Sequence, residues 1–392
     1  MSEAQGKLAS PGGRGLSREE SGAVMIYGAY GYTGRLMVAH ATRTFGWRPI
    51  LAGRDADRLR EVADTTGCQV RVFSLSDPNE VCSNLNGVRV VIHAAGPFSA
   101  TSKPMLDACV AVGCHYLDIT GEIDVFEAIF ARDAELRAKG IAAVPGVGFD
   151  VVPTDCLAAS LKERLPNASS LTLAFMARGG ISAGTTRTMI ESLHRGIHAR
   201  RGGKIVTLGL DGTPSIAARE FSFEMPASRS GETSTAGAPA SQRKLRWCAP
   251  VSWGDVSTAW HSTGIPDITV FTAMPRRIAK LTGAVRRLAP LLAQPLVQDF
   301  LKGLAGQMVR GSDAEEIASG FALVYGEAEN KRGEIARGHV ATSHPYDFTA
   351  RAALAAAGRC LAGEVRPGAH TPSRAFGPAF LTGIPGTSMT TS

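Results

Sequence analysis

Long apolar runs, paired cysteines and dense charge are all missing from this 392-residue chain. No stretch approaches the roughly 18 apolar residues that a membrane-spanning helix needs. The seven cysteines (Cys68, Cys82, Cys109, Cys114, Cys156, Cys248 and Cys360) are odd in number and include no C-x-x-C pair, which argues against a disulfide framework or structural zinc. Charged residues make up only 20 % of the chain and aromatics 6 %. The net charge of +7 favours anionic ligands, yet no Lys/Arg tract interleaved with aromatics marks a nucleic-acid surface, so no nucleic-acid partner is expected. Two catalytic signatures are absent as well. There is no G-x-S-x-G elbow to carry a nucleophilic serine, and no Tyr-x-x-x-Lys pair.

What is present begins at Gly28-Ala29-Tyr30-Gly31-Tyr32-Thr33-Gly34, between the apolar run Ala23–Tyr27 and the helical pattern Arg35–Ala41. Strand, glycine turn and helix in that order are what a dinucleotide pyrophosphate requires. Glycines let the backbone approach the phosphates, and the helix start offers unpaired N–H groups and a positive dipole end. Twenty positions beyond Gly34 stands Arg54, followed by Asp55 and Arg58. An acidic residue there would bind the ribose 2′-hydroxyl of NAD, whereas a guanidinium pairs with a 2′-phosphate; the expectation is NADPH/NADP, with NAD less favoured. A third strand end, Val90–His93, breaks into Ala94-Ala95-Gly96-Pro97-Phe98, small residues that let a nicotinamide pass close to the backbone.

Six short apolar runs between Ala23 and Val144 alternate with helical patterns, including one over Val125–Lys139, which predicts a doubly wound parallel sheet at 23–150. After Gly146 the rhythm changes. Strand candidates such as Leu171–Met176, Lys204–Leu208, Arg219–Glu224, Asp267–Ala273, Ile317–Tyr325 and Glu334–Thr342 predict an α+β domain on a mostly antiparallel sheet, spanning 151–345. Residues 1–22 read as a disordered tail, Ala227–Arg243 as a surface loop, and 346–392 as a helix and Pro/Gly-rich tail packed back on the first domain. His194 and His198 lie four apart on an expected basic helix; with Arg195 after His194 and no third ligand, no metal site is expected.

Candidates for acid–base work cluster at the strand ends: His93, Glu122 and Asp150, with Asp155 beyond. Each carboxylate can equally serve as a helix cap. Phe98 and Thr185 are candidate substrate contacts. The segment 276–310 carries apolar residues at helical spacing between arginines; helices packed on the second sheet, a homodimer contact and peripheral membrane contact all fit it. Cytoplasmic residence follows as the expectation.

Five motifs in order resemble the saccharopine dehydrogenase-like oxidoreductases: Tyr27–Gly34, Leu51-Ala52-Gly53-Arg54, Ala94–Phe98, Tyr116–Glu122 and Gly148-Phe149-Asp150. The resemblance is strong over 23–155 and looser to Thr371–Pro378. It implies a Rossmann domain, an α+β second domain and NADPH, held by Gly28, Tyr30, Gly31, Tyr32, Thr33, Gly34, Arg54, Arg58, Ala95, Gly96 and Pro97. The chain looks most similar to bacterial trans-acting enoyl reductases, which implies reduction of a carbon–carbon double bond on a small acyl, lipid or polyketide-type molecule. A lysine-pathway saccharopine reductase and a catalytically silent NADP-binding sensor remain the alternatives.

Overall fold

The computed structural model describes residues 23–178, 196–209, 214–225, 242–277, 294 and 314–392. Thr185, His194, residues 227–241 of the expected loop Ala227–Arg243 and nearly all of 276–310 lie outside the described residues, while Gln242 and Arg243 belong to a strand.

The first half alternates strand and helix: β1 (Val24–Tyr27), α1 (Tyr32–Arg43), β2 (Ile50–Gly53), α2 (Ala56–Thr66), β3 (Val70–Val72), α3 (Pro78–Asn84), β4 (Val90–His93), α4 (Phe98–Val112), β5 (His115–Asp118), α5 (Ile123–Phe130), α6 (Asp133–Ala138) and β6 (Ala142–Val144). β1, β2 and β4 are buried at every position, as strands covered by helices on both faces must be. All six pair in parallel, in the order β6-β5-β4-β1-β2-β3. The order reverses between β4 and β1, and the crevice at their carboxyl ends is where such sheets bind ligands. The helix expected over Val125–Lys139 is two helices. The backbone leaves the α region at Arg132, whose side chain is tied to Glu135 and Asp107.

The second half contributes α7 (Val152–Arg164), β7 (Ser170–Arg178), β8 (His198–Arg201), β9 (Lys204–Thr207), β10 (Arg219–Met225), β11 (Gln242–Pro250), α8 (Asp255–Thr263), β12 (Asp267–Ala273), α9 (Ala314–Ser319), β13 (Phe321–Glu329) and β14 (Ile335–Ser343). Among the described residues its sheet runs β10-β11-β12-β7-β13-β14, antiparallel except where β12 meets β7. Three expectations are corrected. His198 lies on a strand, not a helix, and Arg200 beside it is buried against Glu127 at 2.7 Å rather than on a basic surface. The strand expected from Ile317 begins only at Phe321. Gly320 ends α9 there, and a Cβ on it would lie 2.2 Å from the His344 ring. β11 and α8 were not expected at all.

The C-terminal stretch joins both sheets. α10 (Pro345–Leu361) packs along α1, through contacts that include His40 with Asp347 at 2.7 Å. β15 (Gly368–Ala369) extends the first sheet beside β6, and α11 (Pro372–Phe376) follows. β16 (Ser388–Thr391) pairs with β14 of the second sheet, so the tail is ordered structure rather than an irregular stretch on the first domain alone.

Candidate active site

β1 delivers the chain into its turn at Gly28, where φ is +88° and the N–H donates to the Ala52 carbonyl at 2.8 Å. A Cβ on Gly28 would meet the Ala94 carbonyl at 3.0 Å, and one on Gly34 would stand 2.2 Å from the Gly28 oxygen. Only glycines allow α1 to start pressed against the turn. Gly31 is the N-cap of α1; no side chain caps it and no acid sits in its first turn, so the positive helix end faces the crevice uncompensated. The Tyr32 ring beside it meets Tyr346 edge-on at 4.8 Å, joining Thr33 and the turn to the start of α10.

Across β2 the Tyr30 ring lies over Gly53, and the Arg58 guanidinium sits 4.7 Å from that ring's centre. Arg54 and Arg58 are exposed, and neither pairs with a carboxylate among the described residues. Asp55, the acid that could have competed for a ribose hydroxyl, instead caps α2 by accepting the Arg58 N–H at 3.1 Å. The turn, the open helix end and the two free guanidiniums fit a dinucleotide carrying a 2′-phosphate. On the other side of the switch point, Ala94 and Ala95 are half-buried and Gly96 and Pro97 exposed, leaving an open floor.

The acid–base candidates separate clearly. His93 is fully buried beneath that floor, Nε2 at 3.0 Å from the Thr101 hydroxyl and Nδ1 without a partner among the described residues; burial pushes its pKa down to about 3, so it stays neutral and closed off from solvent. Thr101 in turn reaches the carbonyls of Ala95 (2.7 Å) and Pro97 (2.9 Å), so His93 shapes the loop from below. Glu122 accepts the N–H groups of Phe98 and Ser99, both at 2.9 Å, and so caps α4 rather than α5. Asp155 is buried among Ser262 and the Ser373 N–H (2.7 Å), binding the C-terminal stretch to α7 and α8.

Asp150 differs from these. Its carboxyl lies against Gly121, where a Cβ would come within 2.9 Å of Oδ2, and it makes no side-chain hydrogen bond among the described residues. Burial raises its pKa to about 6. Phe149 beside it meets Phe175 at 6.4 Å, and Phe175 lies tilted against Trp253 at 4.6 Å, an aromatic wall to which the second domain contributes Phe175 and Trp253. The Trp253 indole N–H donates to the Asp150 carbonyl at 2.7 Å and fixes the loop.

Two residues to which the sequence assigned no role of their own, Asp118 within the motif Tyr116–Glu122 and Trp253, organise this end. Trp253 carries no local signal, because its partner lies 103 residues away. Asp118 is buried, accepting from the N–H groups of Thr120 (3.0 Å) and Gly146 (2.8 Å) and the Tyr116 hydroxyl (2.8 Å), and so ties the loops after β5 and β6 together. Burial raises its pKa to about 6 against those donors.

Comparison with known proteins agrees with this geometry. Residues 24–144 match the saccharopine dehydrogenase NADP binding domain. A trans-acting enoyl reductase of Mycobacterium leprae is 31 % identical over 144 residues, 34 % of this chain and 33 % of that one, and one from Mycobacterium ulcerans gives the same figures. The chain spans less than half the length of the curated relatives it matches. In fold it is similar to apo saccharopine dehydrogenase (L-Glu forming) from Saccharomyces cerevisiae, with a TM-score of 0.58 at 11 % identity over 94 % of this chain and 99 % of that one. Homospermidine synthase from Legionella pneumophila gives 0.54 at 11 % identity, over 94 % and 91 %. Residues 24–144 are therefore a saccharopine dehydrogenase NADP-binding domain, set in a chain with the saccharopine dehydrogenase fold.

Proposed function

We propose that the chain is an NADPH-dependent reductase that saturates a carbon–carbon double bond of an acyl, lipid or polyketide-type molecule. The observation that carries this reading is the distribution of charge along the crevice: two guanidiniums without carboxylate partners at one end and, at the other, the Asp150 carboxyl, which makes no side-chain hydrogen bond among the described residues and is less buried than its neighbour Asp255. Bound NADPH would supply a hydride to one alkene carbon. Gly28, Gly31 and Gly34 and the start of α1 would hold its pyrophosphate, Arg54 and Arg58 its 2′-phosphate, and Ala95, Gly96 and Pro97 would border its nicotinamide. Asp150 would give its proton to the other alkene carbon and recover it from solvent, which balances the two-electron reduction. A carboxyl titrating near pH 6 is protonated often enough for that at neutral pH. The Phe149–Phe175–Trp253 wall would exclude water and favour an apolar substrate body. The names of the mycobacterial relatives support the same chemistry.

The test is loss of NADPH fluorescence with a 2-enoyl thioester. Asp150→Asn should lower kcat by about 10²–10³-fold and leave NADPH affinity unchanged. Full activity in that variant would remove Asp150 from the reaction. Tight NADPH binding with no oxidation by an enoyl thioester, or by aminoadipate semialdehyde with glutamate, would overturn the reductase reading in favour of a cofactor-binding sensor.

A further inference from the structure

The face of the second sheet turned away from the crevice carries an open pocket of about 370 Å³, with Thr172, Thr269 and the edge of Phe271 on the sheet and Ile216, Ala217, Ala218 and Arg219 as its wall. It is separate from the cofactor crevice. Thr172 and Thr269 alternate along their strands with Leu171, Leu173, Ile268 and Val270, whose side chains pack into the core on the opposite face.

Arg219 is the unusual group. Its guanidinium lies over the rings of Phe221 (4.8 Å) and Phe271 (5.2 Å) and donates to the Thr172 hydroxyl at 3.3 Å, and no carboxylate pairs with it among the described residues. Two aromatic faces fix the guanidinium and shield it on one side, leaving its remaining N–H groups for a partner. Thr269 accepts an N–H from Arg201 at 2.7 Å. Each threonine hydroxyl therefore receives an arginine proton and keeps its own to donate. An uncompensated cation and two hydroxyl donors beside the apolar wall of Ile216, Ala217 and Ala218 select one kind of ligand, an apolar chain ending in a single anionic head. The planar fork of one guanidinium matches a carboxylate. The volume falls at the lower end of the roughly 300–1,000 Å³ in which small ligands are held.

We propose that this pocket is an accessory binding site for a medium-chain carboxylate, its chain lying along Ile216, Ala217 and Ala218 and its head on Arg219. Calorimetric titration of the full chain with sodium octanoate tests it. Saturable binding is expected, tightening by up to about fourfold per added methylene from hexanoate to octanoate, while octylammonium does not bind. Arg219→Gln should weaken octanoate at least about tenfold, the worth of a charge-assisted hydrogen bond, with NADPH affinity and circular dichroism unchanged. Thr172→Val should weaken octanoate less, and in the same direction. Absence of saturable binding, equal binding by Arg219→Gln, or displacement of octanoate by NADPH would each overturn the proposal. Because the readout is octanoate affinity, its failure leaves the reductase reading standing, and the failure of that reading leaves this one standing.

Discussion

At the scale of single residues, the two arginines after β2 and the glycines after β1 make separable contributions. Arg54 and Arg58 stand exposed without acidic partners, so removing one should cost binding and not stability. Arg54→Ala should weaken NADPH by about tenfold or more and leave NADH affinity unchanged, measured by fluorescence titration of both nucleotides. Equal losses for the two would mean that the guanidinium does not touch a 2′-phosphate. Gly34→Ala places a methyl 2.2 Å from the Gly28 oxygen, where only backbone can give way. The expected result is a lowered melting temperature together with loss of binding to both nucleotides, because the turn itself must open.

Among elements, α4 shows how far its cap lies from the helix in sequence. Glu122 satisfies two of the orphan amides at the start of α4 from a loop more than 20 residues downstream. Glu122→Ala should cost about 2 kcal/mol in denaturant unfolding, and Glu122→Gln less, since an amide oxygen can still accept one bond. The first sheet was readable beforehand because its strands are apolar on both faces and its turns are punctuated by glycine. The carboxylates were legible only as a set. Whether Glu122 caps, Asp155 ties or Asp150 stays unpartnered depends on Phe98, Ser373 and Gly121, which meet them only in the fold. Nor could periodicity find β11 and α8. Arg243, Lys244 and Arg246 break the alternation of β11, and α8 opens with the buried Asp255 where a solvated residue would be expected.

For the molecule as a whole, two buried groups set opposing responses to acid. His93 has a folded pKa near 3 against 6.5 unfolded, so its contribution is complete above pH 6.5 and is lost as pH falls towards 3. Asp118, raised to about 6, works the other way: its contribution is complete below about pH 4 and is lost as pH rises to 6. From pH 6.5 to 5 the histidine alone should cost roughly 2 kcal/mol. Urea unfolding of the unmodified chain and His93→Gln across that window should show the stability gap between them closing by this amount; a constant gap would mean that His93 protonates alike in the folded and unfolded chain. The stretch from α10 to β16 sets how the two sheets depend on each other. α10 covers α1 and β15 borders β6, so the nucleotide-binding sheet is completed by a segment that lies beyond the whole second sheet in sequence, and β16 then returns to that other sheet. The phosphate turn and its helix are therefore built from neighbouring residues, while one flank of the sheet that carries them is covered only when this distant segment docks.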